Sequence, residues 1–354
     1  MMHKKIPHIT ALVCLLVSCL GTGCNKFDRS KIKMPKFTFV TSSNVQGIAY
    51  LDPEHLWISG DYGAILFSGD GGKTWAKQDS GVKEELLSTI RFANEYVGWA
   101  AGVGGTIVHT LDGGKTWAPQ KSGTEKYLLD MFFLDTRLGW AVGEFGMILR
   151  TEDGGATWLP ASQGEDKMYN GVYFIDASTG WIVGEFGTIL RTGDGGRTWQ
   201  PQQCKDLGSD EADEGWDKPK PALYSISFAD KLRGWIVGMD GVILHTGDGG
   251  MTWRKVHSGT DKPLYSLVVK GTKGWAVGNK GTYITSSDGG MTWAEQRDAI
   301  KTKFWLRNVA FCNDHNGIIG GARGTIVLSN DSGATWNIIS GFRYDMEEFG
   351  LADF

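Results

Sequence analysis

The string Ser/Thr-x-Asp-x-Gly-x-Thr-Trp occurs seven times in this chain, first as Ser68 to Trp75 and last as Ser329 to Trp336. Its aspartates are Asp70, Asp112, Asp153, Asp194, Asp248, Asp288 and Asp331, spaced 40 to 43 residues apart except for 54 between Asp194 and Asp248. A period in that range marks a stacked or radial repeat, so the 354 residues do not divide into two ordinary domains. Six further tryptophans, Trp57, Trp99, Trp140, Trp181, Trp235 and Trp275, each stand 13 residues before a motif aspartate, and Ile318 holds that place in the last copy.

Inside each copy the apolar pattern is short and punctuated, as in Leu138 to Gly143, then Glu144-Phe145, then Gly146 to Thr151. That reads as strand, tight turn, strand. Glycines flank the two-residue link in every copy, for example Gly102/Gly105 and Gly184/Gly187, and both are expected to supply the positive φ that short connections need. A further strand precedes this pair and another follows the aspartate motif. Four antiparallel strands in each of seven copies predict an all-β, seven-bladed β-propeller, in which radial repetition leaves only short, protected edges. The 51 glycines serve this many turns, and no copy shows a useful helical period. The ring's closure stays open: Phe37 to Val40 has strand character, and Trp336 to Ile339 offers a last strand.

Ahead of the repeats, Lys4 and Lys5 precede an apolar run from Ile9 to Leu20, too short to span a bilayer stably, which reads as an export signal. Leu16-Val17-Ser18-Cys19 resembles a bacterial lipobox, and Thr22-Gly23-Cys24 is a second candidate, so lipidation is expected at Cys19 or Cys24. Such a chain would hold the protein at a membrane surface. The expected organisation is a lipoprotein-type signal peptide at 1–24, a tether at 25–36, the propeller at 37–340 with an insertion at 201–221, and a tail at 341–354. Cys204 and Cys312 alone remain in the folded part, which implies no disulfide framework. The formal charge of −4 with no basic run argues against nucleic acid as a partner, and the seven scattered histidines have no metal-ligand spacing. No cofactor is expected, since no glycine string leads from a strand into a helix.

The aspartate motif resembles the Asp-box, or BNR repeat, found between the third and fourth strands of propeller blades. One catalytic group is needed once per protein, whereas a turn former is needed in every blade, so the seven aspartates are read as structural. More specifically, Gly180 to Trp199 is nearly letter for letter the repeat of the photosystem II stability and assembly factor-like propellers, and the likeness covers residues 46 to 340. In photosynthetic organisms that family is lumenal, non-enzymatic, and binds newly made reaction-centre subunits, with an arginine-rich patch implicated. The resemblance therefore implies a protein-binding scaffold or assembly factor. This sequence shows no comparable arginine cluster.

Binding is expected on the face where the connections between second and third strands open. There the tips Asp61-Tyr62, Glu144-Phe145, Glu185-Phe186 and Met239-Asp240 mix carboxylates with aromatics, and the acidic insertion around Trp216 should overhang them. A basic or amphipathic protein client of a membrane or the cell envelope fits that mixture, met by a monomer on the periplasmic side of a membrane, or in the thylakoid lumen if the source is photosynthetic. The alternative is a sialidase-like or other glycoside hydrolase or glycan-binding propeller, because those also carry Asp-boxes. The Phe/Tyr-Arg-Ile-Pro string of sialidases is missing, but a carboxylate pair among Glu144, Glu185, Asp61 and Asp240 would suffice for glycoside hydrolysis.

Overall fold

The computed structural model describes residues 40–162, 164–208 and 219–341. They form seven four-stranded antiparallel sheets, each made of consecutive strands in chain order. The first blade comprises Val45–Tyr50, Leu56–Gly60, Ile65–Ser68 and Ala76–Gln78, and the seventh comprises Leu306–Phe311, Gly317–Gly321, Ile326–Ser329 and Asn337–Ser340. Every residue of second strands such as Gly98–Gly102 and Gly139–Gly143 is buried, because a neighbouring blade covers each side of the sheet. This is why the sequence shows continuous apolar runs there and not alternation. The signal peptide, Cys19, Cys24, Phe37 to Phe39, the acidic stretch around Trp216 and the tail after Gly341 lie outside the described residues.

Tryptophan spacing follows from how the blades meet. Trp140 in the second strand of one blade stacks on Phe174 at the end of the next blade's first strand, 3.5 Å between ring centroids, and Trp199 meets the same Phe174 edge-on at 5.8 Å. Trp99 with Phe133 and Trp158 repeats the arrangement one blade earlier. The buried indole N–H of the second-strand tryptophan needs an acceptor, and finds it in the next blade's aspartate motif. Trp99 donates to Gly154 O at 2.9 Å, Trp140 to Gly195 O at 3.0 Å and Trp235 to Gly290 O at 3.1 Å. Each such tryptophan therefore fastens one blade to the turn of the following one.

The seventh interface differs, since Ile318 has no side-chain N–H to donate. The carbonyl of Gly72 in the first blade's motif accepts from Trp75 of its own motif instead, at 3.1 Å. Closure rests on the first strand of blade 1 packing against that of blade 7, on the Arg323 N–H bonded to Asn44 Oδ1 at 2.9 Å, and on the Val40 N–H bonded to Ser340 Oγ at 3.0 Å. The last blade is thus completed by its own fourth strand, Asn337–Ser340.

One expectation about the glycines is corrected. The second glycine of each link is left-handed, with φ 67° at Gly105 and 65° at Gly187. The first is extended, with φ −174° at Gly102, and is needed for a different reason: a Cβ there would lie 1.8 Å from the carbonyl oxygen of Leu86.

Candidate protein-binding face

Backbone hydrogen bonds assign the turns to two faces. The Gly146 N–H donates to Lys167 O at 2.7 Å and the Gly187 N–H to Pro221 O at 2.9 Å, so the second-to-third-strand tips sit beside the connections between blades. The Gly71 N–H donates to Glu54 O at 3.0 Å and the Gly154 N–H to Arg137 O at 2.9 Å, which puts the aspartate motifs with the first-to-second-strand connections on the other side.

In the aspartate motif the carboxylate is consumed locally. Asp112 accepts the Thr116 N–H at 2.9 Å and the Thr116 hydroxyl at 2.7 Å, while the Thr110 hydroxyl donates to it at 2.8 Å. These bonds, the Thr116 N–H first among them, hold the Asp112 carboxyl down at about 2. Thr110 Oγ1 also accepts the buried Gly114 N–H at 2.8 Å. The turn is closed on itself, with its acceptor atoms turned inward.

The tips are arranged otherwise. Six of the seven are 3-10 turns, the tip at Asp61 is a turn closed by the Ala64 N–H on Asp61 O at 3.2 Å, and in blades 1, 3 and 4 the first residue leans back while the second stands out. Glu144 accepts the Tyr127 N–H at 2.9 Å, Glu185 accepts the Met168 N–H at 2.9 Å, and Asp61 accepts the Asn44 N–H at 3.1 Å and its side-chain amide at 2.7 Å. Those three carboxylates therefore cap the chain as it enters the first strand. The second residues, Tyr62, Phe145 and Phe186, are 71%, 50% and 56% exposed. All three are left-handed, with φ 56°, 54° and 53°, a region that costs a non-glycine residue roughly 1–2 kcal/mol. Blade 2 carries Gly104 at the same place and avoids that cost. Lys126 Nζ lies 3.9 Å over the Phe145 ring. Asp240 occupies the equivalent exposed position in blade 5. The described end of the insertion is tied down against the fourth strand of blade 5, since Asp206 accepts the Lys255 N–H at 2.8 Å.

Two groupings escaped the reading of the repeats. Every first strand carries a bulge at its second residue, which projects Gln46, Ser88, Leu129, Asn170, Tyr224, Tyr265 and Arg307 around the central channel. The signal was present: six of these lie 24 residues before their motif aspartate, and the column varies although the residue before it is Leu in five of the seven blades. The channel is narrow, about 50 Å³. On the opposite face Arg137, Arg150 and, from the next blade, Arg197 meet at Glu152. Arg150 and Arg197 pair with its carboxylate at 2.5 and 3.0 Å, and Arg137 donates to its backbone carbonyl at 3.3 Å. Among the described residues no three His, Cys, Asp or Glu side chains gather as a metal ion would require, and no helix is long and apolar enough to cross a membrane.

Seven four-stranded blades, each turning through the same aspartate motif, define an Asp-box propeller. Within that class the chain belongs to the family described as photosynthesis system II assembly factor YCF48, whose sequence profile matches residues 29–121, 163–265 and 260–341. Among solved structures, YCF48 bound to D1 peptide is similar at a TM-score of 0.67 and 20% identity, covering 83% of this chain and 93% of that one. YCF48 from Cyanidioschyzon merolae is similar at 0.66 and 21%, covering 83% and 97%. The GH74 xyloglucanase from Xanthomonas campestris reaches 0.65 at 12% identity over 85% of this chain and 53% of its own. At these identities the likenesses establish the fold alone. No curated protein matches the sequence.

Proposed function

We propose that the protein is a non-catalytic scaffold that binds a protein client through its tip face, as an exported assembly factor held on the periplasmic side of a membrane by a lipid on Cys19 or Cys24. One observation carries the binding reading. Tyr62, Phe145 and Phe186 stand exposed in a backbone conformation that glycine would adopt more cheaply, and strain kept at an exposed position points to use of the side chain. Aromatic side chains held rigidly beside carboxylates provide anchors for a basic or amphipathic peptide. The YCF48 structure solved with a D1 peptide supports a protein client, because it is a family member with a peptide bound. The glycosidase reading gains no support at the tips, where Glu144 and Glu185 each hold a backbone amide of the entering strand.

The test is comparative capture from detergent-solubilised membranes with wild type and the Tyr62→Ala/Phe145→Ala/Phe186→Ala variant. Loss of specific partners in the variant is expected. Equal recovery would move the binding site away from this face. Mass spectrometry of the mature N-terminus tests the anchor: a lipidated cysteine is expected, and cleavage beyond residue 24 without lipid would remove it. Turnover of β-glucan oligomers or sialosides that is abolished by Glu144→Gln or Glu185→Gln would overturn the non-catalytic reading.

A further inference from the structure

Of the seven bulged residues around the channel, Arg307 alone is charged. Its guanidinium lies over the Tyr265 ring at 5.7 Å, and Tyr265 meets Tyr224 edge-on at 5.4 Å. Among the described residues no hydrogen bond or ion pair engages Arg307. The channel's acid does not serve it, because Asp130 is committed to Arg91 at 2.7 Å, to the Thr89 hydroxyl at 3.2 Å and to the Val172 N–H at 3.2 Å. Asp61 and Glu144 on the rim are engaged in capping the backbone. A partly buried guanidinium with its fork of donors unfilled matches a planar carboxylate. Tyr224 and Tyr265 line the cavity and bring neutral O–H groups to it, with burial pushing both phenols further up. The cavity between these residues, about 50 Å³, has room for a carboxylate head.

We propose that Arg307, backed by Tyr265 and Tyr224, receives a carboxylate of the client peptide whose neighbouring residues rest on the aromatic tips. The inference rests on the reading of that face as peptide-binding. The carboxylate comes from the client's C-terminus or from an Asp or Glu side chain, and the probes separate these sources.

Fluorescence anisotropy of the full chain with labelled Lys-Phe-Lys-Ala as free acid, as its C-terminal amide, and as the amide with Asp replacing Ala provides the test. The free acid is expected to bind about tenfold tighter than the plain amide, and Arg307→Gln to erase the difference without lowering the melting temperature. If the Asp amide matches the free acid, a side chain is the source; if it matches the plain amide, the terminus is. Equal binding of all three, binding by none at millimolar peptide, or an acid preference that survives Arg307→Gln would each overturn the proposal. Phe145→Ala/Phe186→Ala separates the two readings: it should weaken all three probes alike, and if it does not while the acid preference persists, the tip-face reading fails and the Arg307 site stands.

Discussion

The third-to-fourth-strand turn and the second-to-third-strand turn are both short, glycine-rich and repeated seven times, yet they treat their polar atoms in opposite ways. In the former, Thr110, Asp112 and Thr116 satisfy one another and the backbone, and the same residues recur in nearly every blade. In the latter, glycines fix the path, the first residue in blades 1, 3 and 4 holds an amide where the chain enters its own blade's first strand, and the second position faces solvent and varies from Tyr62 to Gly104 to Phe145 to Asp240. Repetition with closed chemistry builds the ring. Repetition of the backbone with open, varied side chains leaves positions free to read a partner.

The comparison is broken most severely between blades. Trp140→Ala should remove about 3–5 kcal/mol of stability, through lost packing on Phe174 and loss of the indole bond to the Gly195 carbonyl, which keeps Arg150 as its other donor, measured by denaturant unfolding. Thr151→Val in a closed turn strands the buried Gly155 amide and should cost about 1–3 kcal/mol by the same measurement. At an open tip the sign reverses: Phe186→Gly relieves a left-handed phenylalanine and should raise stability by up to about 1 kcal/mol while weakening client binding. A stability loss there as large as that of Thr151→Val would erase the distinction.

The smallest effect is in pH. The Asp112 carboxyl is held below its ordinary value of about 4, so its contribution to stability is complete above that pH and is lost as the pH falls toward about 2. Wild type should lose stability across that interval, and Asp112→Asn should flatten this part of the acid unfolding curve. Tip carboxylate variants leave this Asp112 segment in place.

Much of the fold was legible because one motif at a near-constant period fixes blade number, strand order and turn position together. The tryptophans 13 residues ahead of each motif were visible as a column, but their purpose was not. Trp140 answers to Gly195 in another blade, and a pairing between separate units leaves no trace in the pattern of either. The tips were correctly placed on one face, yet composition alone counted Glu144 and Glu185 as free charge when each is bonded to a backbone amide. Arg307 was passed over because a single bulge shifts it from the sheet into the channel, and bulges follow from register, which alternation of residue type does not encode. Arg197 at Glu152 was missed for the same reason as the tryptophan pairings, since it comes from the adjacent blade.

The joint between the last blade and the first is the one without an indole fastening, and Val40, where the described chain begins, is bonded across it to Ser340. Mechanically the propeller is a necklace with six riveted links and one clasp. Any pull on the chain ahead of Val40 would be delivered to the clasp, so a molecule moored by its N-terminus would feel the tension of its mooring at the one joint that no indole fastens.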